Sequence, residues 1–99
     1  MVNLRNGKIY KIADVENNMI YIGSTCQGLL SRLGEHRRDY YNRKHKCASV
    51  REIFDAYGYH NRRITLIERF PCEDRAELQE REKYYIHQYN CVNKNLKNN

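Results

Sequence analysis

The chain has 99 residues, 40% apolar and 30% charged, and a formal net charge of +6, which describes one domain with a thin core. No apolar run approaches the ~20 residues that span a bilayer, and the N-terminus lacks the charged-then-apolar order of a secretory signal, so an intracellular protein without a membrane segment is expected. The excess charge sits in the middle third, where residues 32–63 carry nine bases against four acids; Arg37, Arg38, Arg43, Lys44, Lys46, Arg51, Arg62 and Arg63 there suit a polyanion, or simply a solvated basic face.

A first strand is expected over residues 7–15, opening with Gly7-Lys8-Ile9-Tyr10, and a second over 19–24, closing with Tyr21-Ile22-Gly23-Ser24. Each segment alternates as a half-buried strand does, and Asn17-Asn18 supplies the turn. Such a hairpin brings the Tyr10 and Tyr21 phenols together on neighbouring strands. A helix over 27–43 follows, with Leu29, Leu30, Leu33 and Tyr40 on its buried side. Arg32, His36 and Arg43 run along an adjacent stripe. After a polar connection over 42–46, a second helix over 48–57 turns Val50, Ile53, Phe54 and Tyr57 inward and stops at Gly58, a residue that tolerates the left-handed conformation of a helix end.

A third strand is expected over 63–70, in which Ile64, Leu66 and Glu68 alternate with Thr65, Ile67 and Arg69, and Pro71 ends it. Asp74-x-x-Glu77 is an acidic counterpart of the capping box. It opens a last helix reaching residue 88, with Leu78, Tyr85, Ile86 and Tyr89 inward. From about residue 94 the chain is a polar tail that frays. The order β-β-α-α-β-α gives a single α+β domain over 1–99, a small three-stranded antiparallel sheet flanked by helices.

Cys26, Cys47, Cys72 and Cys91 stand at wide spacings with no Cys-x-x-Cys pair, so free thiols are expected rather than a zinc site or a disulfide framework. Tyr10 and Tyr21, taken alone, are equally well explained as strand formers. Arg32 and His36 are four apart and share a helix face. An arginine fork there matches two phosphate oxygens, although a surface pair is an ordinary feature of basic helices. His60 lies in a polar stretch and reads either way, and His87 is a favourable charge near a helix C-terminus. Glu82 borders the apolar stripe of the last helix, where a carboxylate either pairs with a base or holds a cation.

In this order the segments resemble the GIY-YIG nuclease superfamily: Gly7-Lys8-Ile9-Tyr10, ten residues, Tyr21-Ile22-Gly23-Ser24, then Arg32, His36, His45, Glu82 and Asn93. The resemblance covers about residues 7–94, with Lys8 standing where the family name has its first glycine. It implies hydrolysis of DNA phosphodiester bonds with Mg²⁺ or Mn²⁺. Glu82 would be the metal ligand of a one-metal scheme and Tyr10 the general base. The base would be helped by a nearby cation (the metal, Arg32, or Lys11 if the pleat permits). Tyr21 would position the water or phosphate, or share the base role. Arg32 would neutralise charge on the phosphate and His36 would orient Tyr10 or the phosphate, with His45 and Asn93 in support. The resemblance is to compact stand-alone forms carried by phages and large DNA viruses, or to an isolated catalytic domain of a longer protein, so cytoplasm, nucleus or a viral replication site are all open. So is the oligomeric state, with a monomer as one form. The other reading is a catalytically inactive nucleic-acid-binding domain of the same fold.

Overall fold

The computed structural model describes residues 3–42 and 48–93. The elements follow the expected order: β1 (Lys8–Asp14), β2 (Ile20–Thr25), α1 (Leu29–Tyr41), α2 (Ala48–Tyr57), β3 (Arg62–Arg69) and α3 (Arg75–Gln88), with short 3-10 turns at Leu4–Asn6 and Tyr59–Asn61. The strands form one antiparallel sheet in the order β2-β1-β3, so the central strand is the first in sequence and β2 lies at an edge.

The hairpin closes because Asn17 adopts φ 58°, a left-handed conformation that asparagine tolerates better than most residues. Its neighbour Asp14 fixes the loop by accepting from the Glu16 and Met19 amides at 3.1 and 2.7 Å. β1 turns Tyr10 and Ile12 toward α1 and α2, where they pack with Leu33, Val50, Phe54 and Tyr59. Its other face sends Ile9, with Ile22 of β2, against Leu78 and Ile86 of α3. Helices therefore cover both faces of the sheet, and each face carries its own small core.

Two local expectations are corrected. Leu30, expected on the buried side of α1, is 81% exposed. At about 100° per residue, Leu29, Leu33, His36 and Tyr40 share one face while Leu30 points well away from it. His36 thus belongs to the buried stripe itself, at 1% exposure. The strict alternation expected in β3 also fails. Ile9 pairs with Glu68 but Tyr10 with Leu66, a bulge that leaves Ile67 extra. Ile67 then packs in the α3 layer, and Glu68 reaches Arg81 of α3 with two bonds of 2.6 and 3.1 Å.

α3 starts as expected: Asp74 accepts from the Glu77 amide while Glu77 reaches back to the Asp74 amide. Cys26, Cys72 and Cys91 are free thiols. Among the described residues, no helix is long and apolar enough to cross a membrane.

Candidate active site

The hairpin register sets Tyr10 opposite Gly23, and the Tyr10 ring lies across that glycine. A Cβ at Gly23 would sit 2.5 Å from the Tyr10 hydroxyl and 2.8 Å from the Tyr21 ring, so no larger residue fits without moving the phenols. Tyr10 is fully buried, whereas Tyr21 is half-buried. The Tyr10 hydroxyl and His36 Nε2 are 3.1 Å apart. The Tyr10, Tyr21 and His36 rings form a triangle with centroids 6.2, 6.0 and 6.4 Å apart. Two phenols and an imidazole thus lie side by side, each with a heteroatom that can donate or accept a hydrogen bond.

Arg32 stands one helical turn before His36. Its Nη1 donates to Glu35 Oε1 at 2.7 Å, and the other Glu35 oxygen accepts from Gln27 Nε2 at 3.2 Å. Burial opposes the Arg32 charge, but the Tyr10 phenol and the Glu35 carboxylate outweigh it and hold the guanidinium above its ordinary pKa. Arg32 therefore remains a cation, one that touches the same phenol as His36.

On the other face of β2, Ser24 Oγ donates to Glu82 Oε1 at 2.6 Å. This is the only hydrogen bond Glu82 makes among the described residues, and no base pairs with it there. A carboxylate has about four acceptor positions, so the half-buried Glu82 keeps oxygen sites open. Between these two groups Asn93 seals the strand edge. Its Oδ1 accepts from the Ile22 amide at 3.0 Å and its Nδ2 donates to the Ile22 carbonyl at 2.9 Å. Because β2 is an edge strand, a substrate lying along it can meet Tyr21 and Arg32 from one face and Glu82 from the other.

Tyr10, Tyr21, Arg32 and His36 are thus brought together, with Glu82 across the strand and Asn93 at its rim. Lys11 is not part of this group. It points to the α3 face, bonded to Asn17 at 3.2 Å and 6.0 Å from the Tyr89 ring centre. His45, Arg43, Lys44 and Lys46 lie outside the described residues. Arg37, Arg38, Arg51 and Arg63 are exposed on α1, α2 and β3. Arg62 instead stacks on Tyr59 at 4.2 Å, with its Nε buried and without a hydrogen-bond partner among the described residues. Three contributors escaped the sequence reading: Ser24, Glu35 and the space requirement at Gly23. Ser24 and Gly23 stand inside a motif already singled out, and Glu35 is three residues after Arg32, a spacing at which helix side chains meet.

A half-buried carboxylate with open oxygens beside a hydroxyl fits a hard cation, which takes oxygen donors. Glu82, with Ser24 beside it, would hold one. Among the described residues no three His, Cys, Asp or Glu side chains gather into a metal site.

Fold and site together define a small α+β domain with a buried tyrosine–histidine–arginine cluster against an edge strand. The chain belongs to the GIY-YIG catalytic domain family, whose pattern matches residues 6–97. Its fold is similar to the solved catalytic domain of the homing endonuclease I-TevI, with a TM-score of 0.70 and 25% identity, covering 85% of this chain and 88% of that one. A mutant of the same domain, described as that of an intron endonuclease, superposes with a TM-score of 0.71 at 25% identity over 85% and 84% of the two chains. Among curated proteins the chain is similar to protein 019R of Invertebrate iridescent virus 6, itself uncharacterized, with 27% identity over 90 residues. That match takes in 91% of this chain but 32% of the viral protein, so the chain spans about a third of its relative's length.

Proposed function

We propose that this domain is a metal-dependent DNA endonuclease that hydrolyses phosphodiester bonds with a single divalent cation, Mg²⁺ or Mn²⁺. The observation that carries the reading is the pairing across β2: a guanidinium in contact with a buried phenol–imidazole pair on one face, and a carboxylate with open oxygens on the other. The solved structures that resemble it are described as endonuclease catalytic domains.

The chemistry follows from what each side chain can do. A cation held by Glu82 would supply Lewis-acid charge neutralisation at the phosphate. Arg32 meets the charge growing on the non-bridging oxygens, where a positioned donor contributes most. The two phenols share the base role. A tyrosine pKa of about 10 is a handicap at neutral pH, which a neighbouring cation offsets. Arg32, held against the Tyr10 phenol, is such a cation. Tyr21, half-buried, is the phenol that the attacking water reaches. Tyr10 passes the proton to His36, whose Nε2 is within hydrogen-bond distance. Asn93 has a supporting task, holding β2 in place so that Tyr21 and Ser24 keep their positions.

The substrate is DNA, met largely through phosphates, because Arg37, Arg38, Arg51 and Arg63 are exposed charges on α1, α2 and the start of β3 of the kind that contacts the backbone. The test is to incubate the full chain with supercoiled, branched and flapped DNA in Mg²⁺, in Mn²⁺ and in EDTA. Cleavage in the presence of metal and none in EDTA is expected. Binding in all conditions with cleavage in none would instead establish an inactive nucleic-acid-binding domain.

A further inference from the structure

A cleft of about 250 Å³ opens beyond the last turn of β2, between the starts of α1 and α3. Arg32 and Glu35 line one side, Arg75 and Gln79 of α3 the other, with Ser24 and Gln27 among its further walls. It therefore shares two residues with the site above, Arg32 and the Ser24 that holds Glu82. Arg75 is exposed and has no ion pair or hydrogen bond among the described residues, so one wall carries an uncommitted guanidinium. The cation on the opposite wall is held by Glu35, which Gln27 steadies from behind.

We propose that Arg75 in this cleft holds a second phosphate of the DNA strand, next to the one that Arg32 meets, and that the strand enters by displacing Glu35 from Arg32. The inference rests on the endonuclease reading for the identity of its ligand and extends it to a specific path along α3. The Arg75 guanidinium on the wall of this polar cleft suits a phosphodiester monoanion, which it can grip through a pair of N–H donors, while Arg32 across the cleft is left to the phosphate being cleaved. The Arg32–Glu35 pair is about 30% exposed on both sides, at 28% and 31%. Solvent and an incoming phosphate can therefore reach the pair and compete with the carboxylate for the guanidinium. Glu35 then acts as a positioning residue. It keeps the Arg32 fork aimed at the cleft in the free protein and gives it up to the strand.

Binding separates this claim from the cleavage claim. The full chain is titrated into fluorescein-labelled duplex and branched DNA in EDTA, by anisotropy, at a series of salt concentrations. Arg75→Ala should weaken binding several-fold and reduce the salt slope by about one. Arg69→Ala, which removes an equal exposed charge on β3 outside the cleft, should leave the slope within error of the parent. Glu35→Gln should tighten binding several-fold, because it removes the carboxylate that competes for Arg32. An unchanged slope in Arg75→Ala, an equal loss in Arg69→Ala, or weaker binding by Glu35→Gln would each overturn the proposal. If the parent binds with these signatures yet never cleaves with Mg²⁺, the endonuclease reading fails and the phosphate cleft stands.

Discussion

The tightest constraint in the site is one hydrogen atom wide. Gly23 leaves the Tyr10 ring a place to lie, and any Cβ would stand 2.5 Å from the phenol oxygen. Gly23→Ala is therefore expected to displace both tyrosines, costing about 1–3 kcal/mol of stability by overpacking and most of the cleavage activity. Plasmid nicking beside a chemical denaturation curve would read both effects. The two phenols should separate in the same assays. Tyr10→Phe removes a buried hydroxyl bonded to His36 Nε2, a loss of about 1–3 kcal/mol, whereas Tyr21→Phe should cost less stability because Tyr21 is half-buried. Both should lower cleavage by about ten-fold or more if the phenols share proton transfer. Equal activity of Tyr21→Phe and the parent would remove Tyr21 from the chemistry. At this scale the residues of the cluster were legible because their order along the chain is distinctive. Their partners were not. The Ser24–Glu82 bond links residues 58 apart, and no period or local spacing announces a contact of that kind.

Between elements, the strongest tie at the site is Asn93 on the edge of β2. It satisfies both the N–H and the C=O of Ile22, which are otherwise unpaired on the outer side of the strand. Asn93→Ala should lose about 1–3 kcal/mol for buried groups left unsatisfied, seen as a lower urea midpoint. It should also lower cleavage, since Tyr21 and Ser24 flank Ile22. A second tie joins β3 to α3 through Glu68 and Arg81. The Arg81 hydrogen bond holds the Glu68 carboxyl below its usual range. A carboxylate lowered on folding stabilises above its unfolded pKa of about 4.3, and that contribution fades as pH falls through the depressed folded value. Glu68→Gln should therefore be less stable than the parent near neutrality and equal to it in strong acid, by thermal melts across pH. The elements themselves were largely readable. α2 and the α3 cap match expectation because hydrophobic period and capping chemistry are both local. The β3 bulge was not readable, because alternation carries no mark of an extra residue. His36 was placed beside the buried stripe rather than within it, because an imidazole reads as polar until a buried phenol is found to bond it.

Across the whole molecule, both faces of a three-stranded sheet are covered, so the edge of β2 is where side chains of the candidate site from two layers come together. Among the described residues, the exposed arginines of the middle third stand on α1, α2 and the start of β3. Their contribution to binding is electrostatic and should weaken steeply with salt, as counterion release requires. The Arg62 stack on Tyr59 reduces its share, so Arg62→Ala should affect folding more than DNA affinity, whereas Arg63→Ala should do the reverse. Parallel measurements of melting temperature and anisotropy would distinguish the two.

The central claim is that Glu82 holds the divalent cation without which the phenol–arginine cluster does nothing. Its most direct test is Glu82→Gln, compared with the parent for Mg²⁺-dependent cutting of supercoiled DNA at matched binding. The account predicts that the variant folds, binds DNA in EDTA as the parent does and loses cleavage by about a thousand-fold, the scale of a lost key electrostatic group. Cleavage by Glu82→Gln at the parent's rate and metal dependence would contradict it.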